Sequence, residues 1–298
     1  MIRAAQLIRN GEIVAFPTET VYGLGANALD PAAVRRIFEV KGRPRTSPLI
    51  VHVESMEMAR RLVRDWPPEA ERLSRQYWPG PLTLVALKHP RVPDEVTAGL
   101  GTVGIRMPAH PVALALLRAA GVPIAAPSAN KFTRLSPTTA EHVRQAFTFE
   151  EVPLVLEGGP SEVGIESTVV SLASGTPVLL RPGMIAFESI LRASDPGGAA
   201  HPSPGMHERH YTPRTPVILV ESGAALPVGR GAYLWWNRNT GGAARSVRMP
   251  HTPREYAAAL YRTLHELDAE GWDWVAVESL PDSIEWMGIR DRLERAAD

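Results

Sequence analysis

Two short stretches near the start of the chain gather most of the groups that could do chemistry. Phe16-Pro-Thr-Glu-Thr-Val-Tyr-Gly-Leu-Gly25 brings hydroxyls, a carboxylate and glycines; Lys41-Gly-Arg-Pro44 adds two cations just before Pro48-Leu-Ile-Val-His-Val53. Such a set suits a small polyanion, because a guanidinium can take phosphate in a bidentate way while hydroxyls meet the remaining oxygens. It is not a dinucleotide fingerprint, since Gly23-Leu-Gly25 lacks the third glycine, and the chain has no Walker-type phosphate loop. With no cysteine, disulfides, thiolate nucleophiles and cysteine-ligated zinc are excluded. Met206-His-Glu-Arg-His210 sits beside prolines in an expected loop, and no acidic or histidine cluster has metal-ligand spacing. Any magnesium is therefore expected to arrive with a nucleotide.

Regular elements must hold these groups. Glu12 to Phe16 reads as a short buried strand, and Asp30-Pro31 as an N-cap followed by proline in the first helical turn. The segment between them is expected to be a polar, glycine-bearing loop held at both ends. The helix carries Val34, Ile37 and Phe38 on one face, and Lys41 extends that stripe to its end at Gly42. Lys41 should point inward; read without its context, it would simply pair with the helix dipole. Arg43, before a rigid proline, tilts the reading toward an anion site.

With 298 residues, 44% hydrophobic content and zero formal net charge, the chain can bury a sizeable core in two domains. Strands are expected at Pro81–Leu87, Val122–Ala126 and Val152–Leu156, alternating with amphipathic helices, over residues 1–193. Residues 194–216 turn to Pro, Gly, Ala and Ser and read as a linker long enough to be a functional loop. In 217–298, strands are expected at 217–220, 232–236 and 274–277, with helices over 253–269 and from Ser283. The tryptophans there, Trp235, Trp236, Trp272, Trp274 and Trp286, read as packing residues. There is no long apolar run or secretory leader, so the expected compartment is the cytoplasm, with no membrane partner.

An ordered series of motifs adds a family resemblance. FPTETVYGLGANA from Phe16, KGRP from Lys41, PLIVHV from Pro48, YWPGPLTLV from Tyr77 and VGIRMPAHP from Val103 are followed by APSAN from Ala126, SPTTAEHV from Ser136, GIESTVV from Gly164 and LLRPG from Leu179. Together with SPGMHERHYTP from Ser203, this series resembles the Sua5/YrdC/YwlC family of threonylcarbamoyl-AMP synthases in its longer, two-domain form. The resemblance implies an α/β fold: a mixed domain with a twisted, largely mixed sheet, then a linker and a small Rossmann-like domain. It implies a nucleotidyltransferase that condenses L-threonine, bicarbonate or CO2, and ATP with Mg2+ into threonylcarbamoyl-AMP and pyrophosphate. The product would pass to a tRNA threonylcarbamoyl transferase complex for t6A modification of ANN-decoding tRNAs, with at most a weak tRNA contact of the chain's own.

Residue by residue, the resemblance implies that Thr20, His52, Arg106, Ala126 and Ser167 hold threonine, with Arg106 meeting its carboxylate. Arg43, Ser47, Thr102, Ser128, Asn130, Ser136 and Arg181 would line the ATP side, Lys41 and Arg43 would neutralise phosphate charge, and His210 and Tyr211 would close over the nucleotide. Plainer readings stand beside these: a satisfied strand histidine for His52, a loop asparagine bonding its own backbone for Asn130, strand capping for Ser167. The chain departs from the family pattern at Lys131-Phe-Thr-Arg-Leu135, where many relatives carry a serine-glycine pair, and at Thr46-Ser47. A second function class is a double-stranded RNA or tRNA-binding module of the same fold; zero net charge and a pI near 7.2 speak against it. A third, carbamoyl transfer as in hydrogenase maturation, would call for the cysteine-rich fingers this chain lacks.

Overall fold

A computed structural model describes residues 1–186, 191–192 and 211–297. The first sheet is built from β1 (Val14–Phe16), β2 (Gly23–Asn27), β3 (Ile50–His52), β4 (Leu82–Leu87), β5 (Thr102–Arg106), β6 (Ile124–Ala125), β7 (Thr168–Ser171), β8 (Val178–Arg181) and β9 (Leu191–Arg192). Its spatial order is β1-β2-β6-β3-β5-β4-β7-β8-β9. Only β3/β5, β4/β7 and β8/β9 pair in parallel, so the sheet is mixed, as expected. Alternation along β1 sends Ala15 into the main core and Val14 and Phe16 to the opposite face, against the helices Ile2–Arg9 and Pro111–Ala120.

The glycine-bearing segment after Phe16 is not all loop. Gly23–Asn27 forms β2, antiparallel to β1, with Leu24 and Ala26 buried in the main core. Gly25 faces the other way, where a Cβ would stand 2.6 Å from the Phe16 ring and 2.7 Å from Ile124. Glycine is thus required there by close approach of side chains, not for a phosphate cradle. The strand expected over 152–156 is reduced to a bridge between Ala15 and Val155, with Ala15 N–H donating to the Leu154 carbonyl and Leu156 N–H to the Ala15 carbonyl. Pro153 has no N–H to continue a ladder. Prolines 123 and 127 likewise trim the strand expected over 122–126 to two residues.

The second sheet is wholly parallel: β10 (Val217–Val220), β11 (Gly231–Trp235), β12 (Arg245–Arg248) and β13 (Trp274–Glu278) in the order β10-β13-β11-β12. The long helix Pro253–Glu270 and the last helix Met287–Ala297, preceded by a 3-10 turn at Ile284–Trp286, pack on it. At the carboxyl ends of β11 and β13, where open α/β sheets take ligands, Glu278 already accepts the N–H groups of Trp236 and Asn237 at 2.8 Å and of Arg238 at 3.1 Å. The two sheets do not have separate interiors. Val21, Leu135 and Ile165 of the first unit share one apolar cluster with Tyr211 of the linker and with Leu260, Tyr261, Leu264 and Ile289 of the second.

Candidate active site

The helix Pro31–Lys41 begins as its sequence dictates, with Asp30 accepting from the Ala32 and Ala33 N–H groups, and ends at Gly42. Lys41 is buried at its end and donates to the Ser128 carbonyl at 2.7 Å and to the Asn130 carbonyl. Burial and the charges of Arg43 and Lys131 pull its pKa well below the lysine range, against two carbonyls that favour the ammonium. Two residues on, Arg43 donates to the Pro48 carbonyl at 3.1 Å and lies 5.8 Å from the Phe132 ring. Burial lowers its pKa to about 10, so it is charged at neutral pH.

The parallel register of β3 and β5 sets His52 beside Arg106 at the strand ends. Arg106 is buried, donates to Thr20 Oγ1 at 2.8 Å and to the Gly80 carbonyl at 3.2 Å, and forms an ion pair with Glu19 at 2.6 Å. The Thr18 and Thr20 hydroxyls are 2.9 Å apart. Burial, reinforced by Arg106, drives the pKa of His52 down to about 3, so the ring is neutral. Among the described residues, its buried Nδ1 has no hydrogen-bond partner.

Across from them, Ser167 precedes β7 and Arg181 ends β8. Arg181 donates to the Ser167 carbonyl at 3.0 Å and to its hydroxyl at 3.2 Å, while Ser167 Oγ lies 2.8 Å from Thr83 Oγ1. Tyr211, within the linker and the first residue described after the stretch 193–210, is buried and completes the wall. Thr20, His52, Arg106, Ala126 and Ser167 thus line one cavity together with Arg43, Ser128, Arg181 and Tyr211.

Other expected site residues lie elsewhere. Thr102 lines a separate small cavity with Pro48, Leu49 and Thr83. Asn130 donates through Nδ2 to the Lys131 and Arg134 carbonyls, closing the 131–135 loop in the manner of the plainer reading. That loop still delivers Ser136, whose hydroxyl donates to Glu166 Oε1 at 2.5 Å behind the cavity. The Ser47 carbonyl accepts from Arg43 at 3.4 Å. His210 lies outside the described residues. Sequence reasoning missed Glu166 as a cavity residue and Arg292 behind it. A signal existed: Arg292 follows Ile289 by three and precedes Leu293 and Ala296, on the buried face of its helix.

Three guanidiniums around a buried cavity call for an anion. A family model described as telomere recombination, covering Sua5, YciO and YrdC, matches residues 6–183, and one described as the threonylcarbamoyl-AMP synthase C-terminal domain matches 184–298. The chain belongs to the Sua5/YrdC family. Among its Sua5 relatives, the threonylcarbamoyl-AMP synthase of Pyrococcus abyssi is 40% identical over 99% of this chain and 93% of that protein. The enzyme of the same name from Bacillus subtilis is 41% identical over 99% and 92%. The structure of Pyrococcus abyssi Sua5 complexed with L-threonine superposes with a TM-score of 0.91 at 38% identity, covering 99% of this chain and 93% of that one. The mixed sheet followed by a parallel one is therefore the Sua5 architecture.

Proposed function

We propose that this chain is a threonylcarbamoyl-AMP synthase, making the adenylate from L-threonine, bicarbonate or CO2, and ATP, and releasing pyrophosphate. The observation that carries the reading is the convergence of residues from six separate family motifs, Thr20, Arg43, His52, Arg106, Ser167 and Arg181, on one buried cavity. Full-length likeness to synthases, one of them solved with threonine, supports it. The RNA-binding alternative has no such support, and the cavity's guanidiniums are buried, out of reach of a polymer's phosphates.

In this reading the threonine carboxylate meets Arg106 and displaces or shares its contact with Glu19, while Thr20 and the His52 ring bond the rest of the amino acid. The free amine combines with bicarbonate, water leaving, to give a carbamate. A carbamate oxygen then attacks the α-phosphorus of ATP and pyrophosphate departs. Positioning and charge neutralisation do most of this work, and Arg43 and Arg181 are the charges placed for it. Lys41 acts one step back, by fixing the Ser128 and Asn130 carbonyls. Magnesium would come on the nucleotide's phosphates: Glu166 is the carboxylate that lines the cavity, and both of its oxygens already accept hydrogen bonds, so it is not placed to ligate the ion. The product goes to a transferase that modifies tRNA.

Pyrophosphate release by the purified protein with Mg-ATP, omitting threonine or bicarbonate in turn, tests the function. Release that requires both is expected; release indifferent to threonine would leave a nucleotide hydrolase. Arg43→Ala and Arg181→Ala are each expected to lower kcat/KM by on the order of 10²-fold, the scale of one lost transition-state charge contact.

A further inference from the structure

Glu166 is a carboxylate in a cavity whose other charged lining residues are the guanidiniums of Arg43, Arg106 and Arg181, and its partners come from both units. Its Oε1 accepts from Ser136 at 2.5 Å. Its Oε2 accepts from Arg292 Nε at 2.7 Å and from the Tyr261 hydroxyl at 3.2 Å. Arg292 belongs to the last helix and Tyr261 to the long helix of the second unit. Arg292 is 1% exposed, so it cannot touch a substrate. It nevertheless reaches three parts of the cavity wall from behind. Besides Glu166, the neighbour of Ser167, it donates to the Pro182 carbonyl at 3.0 Å, next to Arg181, and its guanidinium lies 5.3 Å from the Tyr211 ring. Asp291 also pairs with it, accepting at 2.7 Å from the nitrogen that donates to the Pro182 carbonyl.

A buried ion pair is a poor means of gluing two units together, since apolar residues of similar volume often do as well or better. What it supplies is a defined arrangement. We propose that Arg292, with Tyr261, is a positioning residue of the synthase: from the second unit it clamps Glu166 and the Pro182 peptide so that Ser136, Ser167 and Arg181 keep one geometry around the nucleotide. This rests on the synthase reading, and it gives the helices of the second unit an indirect part in catalysis. Burial alone would raise the pKa of Glu166, and the charges of Arg292 and Arg181 outweigh it and hold the carboxyl below the usual range. The charged and titratable groups facing Glu166 are Arg181 from β8, Tyr211, Tyr261 from the long helix, and Asp291 and Arg292 from the last helix. Removing Arg292 therefore lets Glu166 take up a proton at higher pH.

The test compares full-length wild type with Arg292→Met, Arg292→Lys, Tyr261→Phe, Glu166→Gln and the Arg292→Met/Glu166→Gln double variant. Pyrophosphate release is measured against ATP concentration and pH, and folded protein is counted by circular dichroism. Arg292→Met is expected to lose on the order of 10²-fold in kcat/KM for ATP per folded molecule, the scale of a misplaced catalytic group. Its acid limb should move to higher pH, Arg292→Lys should recover part of the rate, and the double variant should be no worse than the poorer single one. Tyr261→Phe, which deletes one hydroxyl, should move the limb in the same direction and keeps the test alive if Arg292→Met does not fold. Variants that only melt earlier, with wild-type KM and acid limb per folded molecule, overturn the positioning role while leaving the synthase reading intact. A wild type without threonine-dependent pyrophosphate release overturns both.

Discussion

His52 shows how a residue's neighbours decide what it can do. Burial, with Arg106 adding to it, holds its pKa down at about 3, so it serves as a neutral ring rather than as a proton carrier at neutral pH. Its imidazole resonances are expected to stay flat from pH 8 to about 5 in an NMR titration; an inflection inside that window would refute the assignment. Lys41 makes a contrasting case. Lys41→Met should leave two buried carbonyls short of a donor and cost about 1–3 kcal/mol, which a chemical denaturation curve would detect alongside the loss of activity. Residue types and motif order made these side chains legible in the sequence, because hydroxyls, guanidiniums and a histidine advertise themselves. Their partners were harder to see. That Lys41 points at carbonyls, or that Arg106 already holds Glu19, depends on contacts between residues 87 apart in sequence. Arg292 escaped notice because it stands in a helix of ordinary charged composition.

At the level of elements, β2 is the clearest lesson. Strand residues are usually recognised by β-branched or aromatic bulk, and Gly23-Leu-Gly-Ala-Asn27 has none, so the segment looks like a loop until Phe16 is seen lying over Gly25. Gly25→Ala is expected to lower stability by about 1–3 kcal/mol through overpacking, and Phe16→Leu in the same chain should restore part of it; equal melting of Gly25→Ala and wild type would contradict the close approach. The helix Pro31–Lys41 was readable to its ends, because its cap, its N-terminal proline and its closing glycine are all local signals. The bridge at Val155 was overread for the opposite reason. Val152-Pro-Leu-Val-Leu156 has strand-like side chains, but a ladder needs N–H groups as well, and Pro153 withholds one.

Taken whole, the molecule is sewn together by residues that alternate between the two units. His142, on the helix Ala140–Ala146, stacks on His265 of the long helix with ring centroids 3.9 Å apart. Burial, with His265 adding its share, takes His142 to about 3, and burial lowers His265 as well. Folded histidines that stay neutral bind fewer protons than unfolded ones, so stability is full above roughly pH 6.5 and falls as the pH drops from there toward 3. Glu166 acts lower down: its depressed pKa contributes stability above about 4.5 that is lost as it protonates. Urea midpoints should therefore decline steadily from pH 7 to 4, and His142→Gln should flatten the upper part of that decline. Because Val21, Leu135 and Ile165 lie in the same core as the second unit's helices, a single calorimetric transition is expected, and two resolved peaks would contradict the shared interior. Composition suggested two domains but could not reveal that their cores merge, since apolar residues carry no label for the partner they will meet. The seam is tight at Gly164, where a Cβ would fall 2.3 Å from the Ala257 carbonyl. A contact that close ties the history of one half to that of the other: a change at either side of it asks for a matching change far along the gene, so the halves must drift in step, and a second half grafted from a distant relative would arrive with the wrong mate.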